Sequence, residues 1–297
     1  MNTNVGRYGF WVDAYIGEPI AYDELVTDLS QVDIVYLGER HTLKRHHDIQ
    51  QKIITELILK DKHIILGLEQ FEAFQQPIIE KYNRSEITLD QLTEQTDWPS
   101  RWSNYLDYCD IVKAVHDAGG EVVGLNARQE IVRKVARKGM DSLTNEERNE
   151  LPVEIDTSNE SYRQHMNNTM MVMAHVKNNP DMLDRMFTAQ VCRDEMMAES
   201  LYKAIKSSEK QNSIAVVLCG SGHLIHGSGI PSRLKRRLPN LKDRIVVLSG
   251  SGDVELSKSM QAMSRDVKTS HQQLKCFETP VADYLHVVNL DGQLDKY

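Results

Sequence analysis

Five short runs of apolar residues constrain the fold of this chain more than any other feature of its sequence. They cover residues 33–37, 63–68, 121–125, 213–219 and 244–248. The runs are rich in β-branched residues and do not alternate with polar ones, which predicts strands covered on both faces, as in parallel sheets. Helical patterns lie between the runs, so the order of elements predicts repeated βαβ units. The predicted fold class is α/β, with a mainly parallel sheet flanked by helices.

The length of 297 residues is one that a single α/β domain often reaches, and we predict one domain over residues 1–297. Residues 140–208 contain no strand-like run and predict a helical insertion or cap subdomain within it. The composition becomes polar after residue 249, apart from a strand-like run at residues 284–289. We therefore expect residues 250–297 to form a polar, mostly surface-lying C-terminal segment.

Charge argues against nucleic acid as a partner. The chain has 35 Lys and Arg against 43 Asp and Glu, a net charge of −8, which repels phosphates unless one face is locally basic. The densest basic run follows Pro231, where we expect the end of a short helix and a solvent-exposed face. It consists of Arg233, Lys235, Arg236 and Arg237.

The cysteines and the start of the chain bear on the compartment. The four cysteines are far apart and form no CxxC pair, so they indicate neither a zinc knuckle nor a disulfide framework. The first residues hold no apolar core of signal-peptide length, and no stretch approaches the ~18 apolar residues of a transmembrane helix. We expect no transmembrane segment and a cytoplasmic location. A removed leader would instead indicate a periplasmic or membrane-anchored protein.

Polar residues follow the first four apolar runs, at the points where the predicted strands end. They are Glu39 and His41 after the first run, Glu69 after the second, Arg128 after the third and His223 after the fourth. In open α/β sheets, ligands bind outside the carboxyl ends of the strands, so these segments are expected to converge. The sequence thus predicts one polar site at this edge of the sheet. His46 and His47, which begin the next helical pattern, are further candidates for it.

Three explanations fit this set of side chains. Two imidazoles and two carboxylates suit a divalent metal such as Mn, Zn or Fe. Its ligands would be His41, His223, Glu39 and Glu69, and the metal would activate water for hydrolysis with Glu39 or Glu69 as general base. The same four side chains can also act as general acid and base without a metal. In the third explanation the carboxylates pair with Arg40 or Arg128, and the histidines cap helices.

Aromatic residues concentrate in one stretch of a chain with 6% aromatics. The stretch holds Trp98, Trp102, Tyr105 and Tyr108. Packing at a helix end is the favoured explanation. The functional alternative is a wall for a flat ligand, with a tyrosine phenolate bound to ferric iron. Eight methionines between residues 166 and 197 allow the same two interpretations, helix packing or an adaptable apolar pocket, and packing is again favoured.

A series of motifs occurs in a specific order along residues 35–234. It comprises VYLGERH followed by RHHDIQ, ILGLEQFEAFQQPIIEKY, WPSRW with its downstream tyrosine, VVGLNARQEIVRKVARKG, RDEMMAES and VVLCGSGHLIHGSGIPSRL. Short GxxH motifs by themselves are weak evidence, but this ordered set is specific. It resembles the ChaN-like haem-binding uptake family of the Tiki superfamily.

This resemblance implies an α/β fold with a helical subdomain, haem as cofactor and a role in haem or iron uptake. It also implies haem binding at a homodimer with tyrosine ligation, for which Tyr108 is preferred over Tyr105 because it lies in the expected stretch after the tryptophan pair. The wider superfamily includes Tiki/TraB metal-dependent proteases and erythromycin-esterase-like hydrolases. Their motifs mark a hydrolase-like set of Glu39, His41, Glu69 and His223, with Arg128 as a charge stabiliser. Two functions follow as expectations: haem binding, with haem or another small molecule as partner, and divalent-metal-dependent hydrolysis.

Overall fold

A single sheet of eight strands organises the computed structural model, which describes residues 9–174, 179–250 and 278–287. The strands are β1 (Phe10–Asp13), β2 (Glu18–Ile20), β3 (Ile34–Glu39), β4 (His63–Glu72), β5 (Glu121–Asn126), β6 (Ser213–Gly220), β7 (Asp243–Leu248) and β8 (Tyr284–Val287). Their order across the sheet is β2-β1-β8-β7-β3-β6-β4-β5. Strands β3 to β8 pair with one another in parallel, whereas β1 pairs antiparallel with β2 and β8. The predicted α/β class with a mainly parallel sheet is confirmed.

All five strands predicted from the apolar runs are present, and four of them extend beyond the predicted carboxyl end. β3 continues to Glu39, β4 to Glu72, β5 to Asn126 and β6 to Gly220. These extensions bring polar residues to the edge of the sheet, where their backbone N–H and C=O groups form hydrogen bonds with neighbouring strands. The register of β4 against β5 shifts between Leu68 and Glu72, an irregularity of the kind that redirects side chains beside functional sites.

Helices cover both faces of the sheet. One face packs against α1 (Tyr22–Leu29), α2 (Lys44–Leu59), α3 (Gln76–Asn83), α4 (Leu89–Gln95), α5 (Trp98–Arg101) and α6 (Leu106–Asp117). The other face packs against α10 (Pro180–Ser207) and α11 (Ile230–Arg237). Between β5 and α10 lie α7 (Gln129–Lys138), α8 (Asn145–Asn149) and α9 (Glu160–Ala174). None of the described helices is both long and apolar enough to cross a membrane.

The helices of residues 140–208 join the main layers of the molecule. α10 contacts β5, α7 and α11, and it buries Met197 and Leu201 against the sheet. Met166 is likewise buried in a cluster of helix side chains, which favours the packing interpretation of the methionines. The side chains of Met170, Met171 and Met173 lie outside the described residues. The boundaries of a helical insertion within a single domain remain predictions.

The predicted polar segment, residues 250–297, lies mostly outside the described residues. Its described part includes β8, which lies inside the sheet between β1 and β7. Tyr284 and His286 of β8 are buried, because the strand is paired along both edges. This part of the segment therefore does not lie on the surface as expected.

The basic run after Pro231 lies at the end of a short helix, as predicted, but only part of it is solvent-exposed, namely Lys235 and Arg236. Arg233 is only 3% exposed. Its guanidinium and those of Arg236 and Arg237 surround the buried carboxylate of Glu195 on α10, at 3.2, 2.8 and 2.9 Å. A carboxylate between two packed helices requires such partners, and this requirement explains the local excess of arginine.

Candidate functional site

The carboxyl ends of three adjacent strands position the predicted polar residues. Glu39 ends β3, Glu69 lies in the extended part of β4, and Gly220 ends β6 just before His223. The three strands are level, because Leu218 of β6 is in register with Leu37 of β3 and with Leu68 of β4. β6 lies between β3 and β4, so side chains that are far apart in sequence meet at the carboxyl ends of these strands. Ligands usually bind in this position in such sheets.

Seven side chains form one continuous series of contacts at this edge, which we call the acid–base chain. In spatial order they are Tyr108, Glu39, His41, Glu69, His223, Asp194 and Tyr162. Carboxylates and imidazoles alternate through its centre, and a tyrosine hydroxyl ends it on each side. Glu39, His41, Glu69 and His223 thus converge in the structure, as the sequence predicted.

Glu39 is the most heavily bonded member of the acid–base chain. One oxygen, Oε1, lies 2.8 Å from His41 Nδ1 and accepts hydrogen bonds from Tyr108 at 2.5 Å and Gln70 at 3.2 Å. The other, Oε2, accepts a hydrogen bond of 2.7 Å from Gln50. Burial and the adjacent Glu39 raise the pKa of Tyr108 far above its ordinary value, so the phenol stays protonated. These contacts hold the carboxylate and the imidazole of His41 in fixed orientations.

His41 is the member of the central four that reaches solvent, with 35% of its side chain exposed. Its ring contacts Trp102 edge-on, with 4.9 Å between the ring centres. Burial lowers the pKa of His41, but Glu69 and Glu39 outweigh this effect and raise it above 6.5. Gly220 makes room for the ring, because a Cβ there would lie 2.9 Å from Nε2.

Glu69 lies between the two histidines. Its Oε2 accepts a hydrogen bond of 2.7 Å from the Gly220 backbone, and its Oε1 lies 3.4 Å from His223 Nε2. The distance to His41 Nε2 is longer, at 3.8 Å. Burial favours the neutral acid, but His223, His41 and the Gly220 amide together lower the pKa of Glu69 below its ordinary range. Glu69 is therefore a carboxylate at neutral pH.

His223 is buried between two carboxylates. Its Nδ1 lies 2.6 Å from Asp194, which also accepts a hydrogen bond of 2.8 Å from Tyr162. The amide of Gln190 lies 2.9 Å from the same nitrogen. Burial disfavours the imidazolium, but Glu69 and Asp194 outweigh burial and raise the pKa of His223 to about 9. At neutral pH His223 is a buried cation, which compensates part of the negative charge at the site.

Asp194 and Tyr162 belong to the site but were not among the candidates from the sequence. The signal for Asp194 was a carboxylate pair, Asp194 and Glu195, within the apolar run of α10. Gln190 precedes Asp194 by one helical turn, so both lie on the same helix face. Tyr162 carried no comparable signal.

His46 and His47 lie next to the site, on the first turn of α2. His46 Nδ1 accepts a hydrogen bond of 3.0 Å from the Arg40 backbone, and burial lowers the pKa of His46 to about 4. His47 Nε2 lies 3.5 Å from Glu39 Oε2, and its ring packs on Tyr108. His46 thus has a structural role at the start of the helix. His47 contacts two members of the acid–base chain, Glu39 and Tyr108.

Arg128 and Tyr105 are not brought into the acid–base chain. Arg128 Nε lies 2.8 Å from Glu150 Oε2, and its guanidinium stacks on Phe74. Tyr105 is half-buried and packs against Trp98, 5.6 Å between ring centres. Among the described residues, neither Glu39 nor Glu69 pairs with an arginine, so the salt-bridge explanation does not apply.

The described residues contain no group of three or more His, Cys, Asp or Glu side chains arranged to hold a metal ion. Both imidazoles hold Nδ1 against a carboxylate, Glu39 for His41 and Asp194 for His223. The predicted divalent-metal site has no support in this geometry.

Comparisons with known proteins agree with this fold. Residues 25–234 match the family model described as haem-binding uptake, Tiki superfamily, ChaN. The chain is similar to ChaN of Campylobacter jejuni, solved with cofacial haem binding, with 18% identity, a TM-score of 0.69 and coverage of 95% of this chain and 97% of that one. It is also similar to a mutant of the erythromycin esterase EreC in its open conformation, with 14% identity, a TM-score of 0.45 and coverage of 82% and 76%. No curated protein matches the sequence.

Proposed function

We propose that this chain binds haem, on the premise that it belongs to the haem-binding uptake family ChaN of the Tiki superfamily. The matched range, residues 25–234, agrees with the range over which the motifs resemble that family, and that prediction is confirmed. The similarity to Campylobacter jejuni ChaN covers nearly the whole of both chains and establishes a shared fold. The haem of that protein supports the proposal by analogy.

One observation of the site carries the proposal: the donor set around His41 fits a haem iron. His41 is partly exposed, and its Nδ1 lies 2.8 Å from the buried carboxylate of Glu39. Histidines that bind metals commonly hold the second ring nitrogen against a carboxylate in this way. Trp102 flanks the imidazole edge-on, so an apolar side chain lies beside the donor. When bound, haem supplies an iron with an open axial position, for which histidine is a common ligand.

The tyrosines predicted as ligands are placed differently from His41. Tyr108 is fully buried, and its hydroxyl donates to Glu39. Ligation by Tyr108 would break this bond and deprotonate a phenol whose pKa is strongly raised. We therefore propose His41 as the first candidate ligand and keep Tyr105 and Tyr108 as the alternatives that the family resemblance implies.

Titration of the purified protein with hemin tests the proposal. We expect saturable binding with a Soret band that is lost or shifted in His41→Ala. Tyr105→Phe and Tyr108→Phe identify the ligand if His41→Ala retains the band. His63→Ala is a matched control, because His63 lies at the amino end of β4, opposite the site. Absence of saturable binding by the wild-type protein would reject the haem proposal.

A role in haem or iron uptake and a haem-linked homodimer are further parts of the proposal. The family description supports the uptake role, and the homodimer is what the family resemblance implies. Light scattering coupled to size-exclusion chromatography, with and without hemin, tests the dimer. A monomer under both conditions would contradict it.

A second candidate function is hydrolysis by acid–base chemistry, which the Glu39–His41 pair favours. A partly exposed imidazole oriented by a buried carboxylate is the usual arrangement of a general base that activates water. This geometry assigns the base to His41 and not to Glu39 or Glu69, because Glu39 is saturated with hydrogen bonds and the pKa of Glu69 is lowered. Turnover of a panel of carboxylic esters and peptides, abolished by His41→Gln, would support it. Equal rates for wild type and variant would reject it.

A further inference from the structure

Three arginines lie around the carboxyl ends of β4 and β5, and two of them are already neutralised. Arg101 Nη1 lies 2.8 Å from both carboxylate oxygens of Glu72. Arg128 Nε lies 2.8 Å from Glu150 Oε2. Each of these two guanidinium groups therefore has a carboxylate that compensates its charge.

Arg193 is the third, and it differs in having no acidic partner. It lies on α10, three residues after Gln190 and directly before Asp194, and both of these residues contact His223. Its guanidinium lies 3.4 Å from Asn126 Oδ1. Asn126 in turn donates to the Glu69 carbonyl at 3.1 Å, which places Arg193 beside the acid–base chain. Within the described part of the chain, no carboxylate oxygen lies within 4.0 Å of the Arg193 guanidinium.

The acidic residues next to Arg193 on α10 do not compensate its charge. Asp194 is bonded to His223 and Tyr162, and Glu195 is surrounded by the arginines of α11. A half-buried cation without an ionic partner is unfavourable, and the planar donors of a guanidinium match a carboxylate through two parallel hydrogen bonds. The geometry therefore favours a carboxylate supplied by a ligand.

We infer that Arg193 binds a carboxylate group of the ligand that occupies the site, an inference that rests on the proposed haem-binding function. Haem carries two propionate carboxylates on one edge of its ring. An ion pair between Arg193 and a propionate fixes the rotation of the porphyrin relative to the donor at His41. Arg193 is thus a ligand-binding residue, whereas the superfamily resemblance implied Arg128 as a charge stabiliser of the site.

Parallel titrations with hemin and with hemin dimethyl ester, whose propionates are esterified, test this inference. Arg193→Gln is expected to bind hemin about tenfold or more weakly than the wild type, because a charge-assisted pair of hydrogen bonds is lost. The same variant is expected to bind the dimethyl ester as the wild type does. Arg193→Lys keeps the charge but loses the planar donors, so its affinity for hemin is expected to be intermediate. Arg133→Gln is the matched control, because Arg133 is exposed on α7 and contacts only Gln129 among the described residues.

Each outcome separates the inference from the proposed function. Equal affinity of the wild type and Arg193→Gln for hemin would overturn the inference and leave haem binding intact. An equal loss of affinity for both porphyrins would also overturn it, because that result indicates a structural role. If the wild-type protein binds neither porphyrin, the haem proposal fails and the inference fails with it. Circular dichroism of each variant establishes that it is folded, and Arg193→Lys supplies the test if Arg193→Gln is not.

Discussion

At the scale of single residues, His223 links the chemistry of the site to the stability of the fold. Its ring lies 2.6 Å from Asp194 and 3.4 Å from Glu69. Burial opposes the charged form, but these carboxylates raise the pKa of His223 from 6.5 to about 9. The folded chain therefore holds a proton that the unfolded chain releases at lower pH.

We expect the free energy of unfolding to fall as the pH rises from about 6.5 to about 9. The contribution of His223 is complete below the unfolded pKa and is lost as the pH passes the folded pKa, with a slope of at most about 1.4 kcal/mol per pH unit. Urea unfolding of the wild type and His223→Gln across this window measures the effect. The variant should show a weaker decline, since the raised pKa of His41 still contributes, and parallel pH profiles for the two proteins would contradict the assignment.

Gly220 shows how a residue without a side chain shapes the site. A Cβ at this position would lie 2.9 Å from His41 Nε2 and 3.7 Å from Glu69 Oε2, whereas a Cβ at Gly222 would meet nothing within 4 Å. We expect Gly220→Ala to displace the His41 ring, to destabilise the fold by about 1–3 kcal/mol and to weaken hemin binding. Gly222→Ala should change stability by no more than about 0.5 kcal/mol. Chemical denaturation and hemin titration of both variants make the comparison, and equal effects would argue against a close contact at Gly220.

At the scale of elements, α10 connects the site to the helical layer behind it. Gln190 and Asp194 face His223, while the next residue, Glu195, faces the arginines of α11. The same helix therefore carries the polar contacts of the site and the ionic contacts that fix its own position. Without those ionic contacts, α10 and α11 would each bury charges with no partner.

Loss of the Glu195 charge is expected to be strongly destabilising. Glu195→Gln leaves three arginines around a neutral amide, and breaking a buried ion pair in this way costs about 3–5 kcal/mol. Glu199→Gln removes a partly exposed pair with Lys203 on the same helix and a long contact of 3.9 Å with Arg237, and is expected to cost about 1 kcal/mol or less. Thermal and urea unfolding of both variants test this difference. Similar stabilities of the two variants would show that the arginines find other partners.

At the scale of the whole molecule, the sheet is completed by the last described segment of the chain. β8 lies between β1 and β7, parallel to β7 and antiparallel to β1. It is the link that joins the N-terminal strands β1 and β2 to the parallel core. Removing it would expose the edge of β7, and unpaired sheet edges promote association between chains.

A chain that ends at residue 277 is therefore expected to aggregate or to lose stability, because β1 and β2 then have no strand beside them. A chain that ends at residue 287 keeps β8 and is the matched comparison. Static light scattering and thermal denaturation of the two truncated proteins distinguish them. A soluble, equally stable chain without β8 would show that the parallel core is independent of it.

The sequence by itself determined the five strands of the apolar runs, the class of fold, the family and the central four residues of the site. Buried parallel strands are continuous apolar runs, and an ionisable residue directly after such a run, as at Glu39, Glu69 and His223, has few explanations other than a site. The family was identified from the order of the motifs along the chain, because no single motif is specific enough to identify it.

Only the tertiary structure decided which partners those residues have. Arg128 was expected in the site but pairs with Glu150, while Asp194, Tyr162 and Arg193 come to the site from helices outside the strand-end segments. The arginines of the run after Pro231 are partners of Glu195, and only part of that run is solvent-exposed. The physical reason is common to these cases. The pattern of apolar residues fixes which face of an element is buried, but the charge that compensates a buried polar group comes from whichever element packs against it.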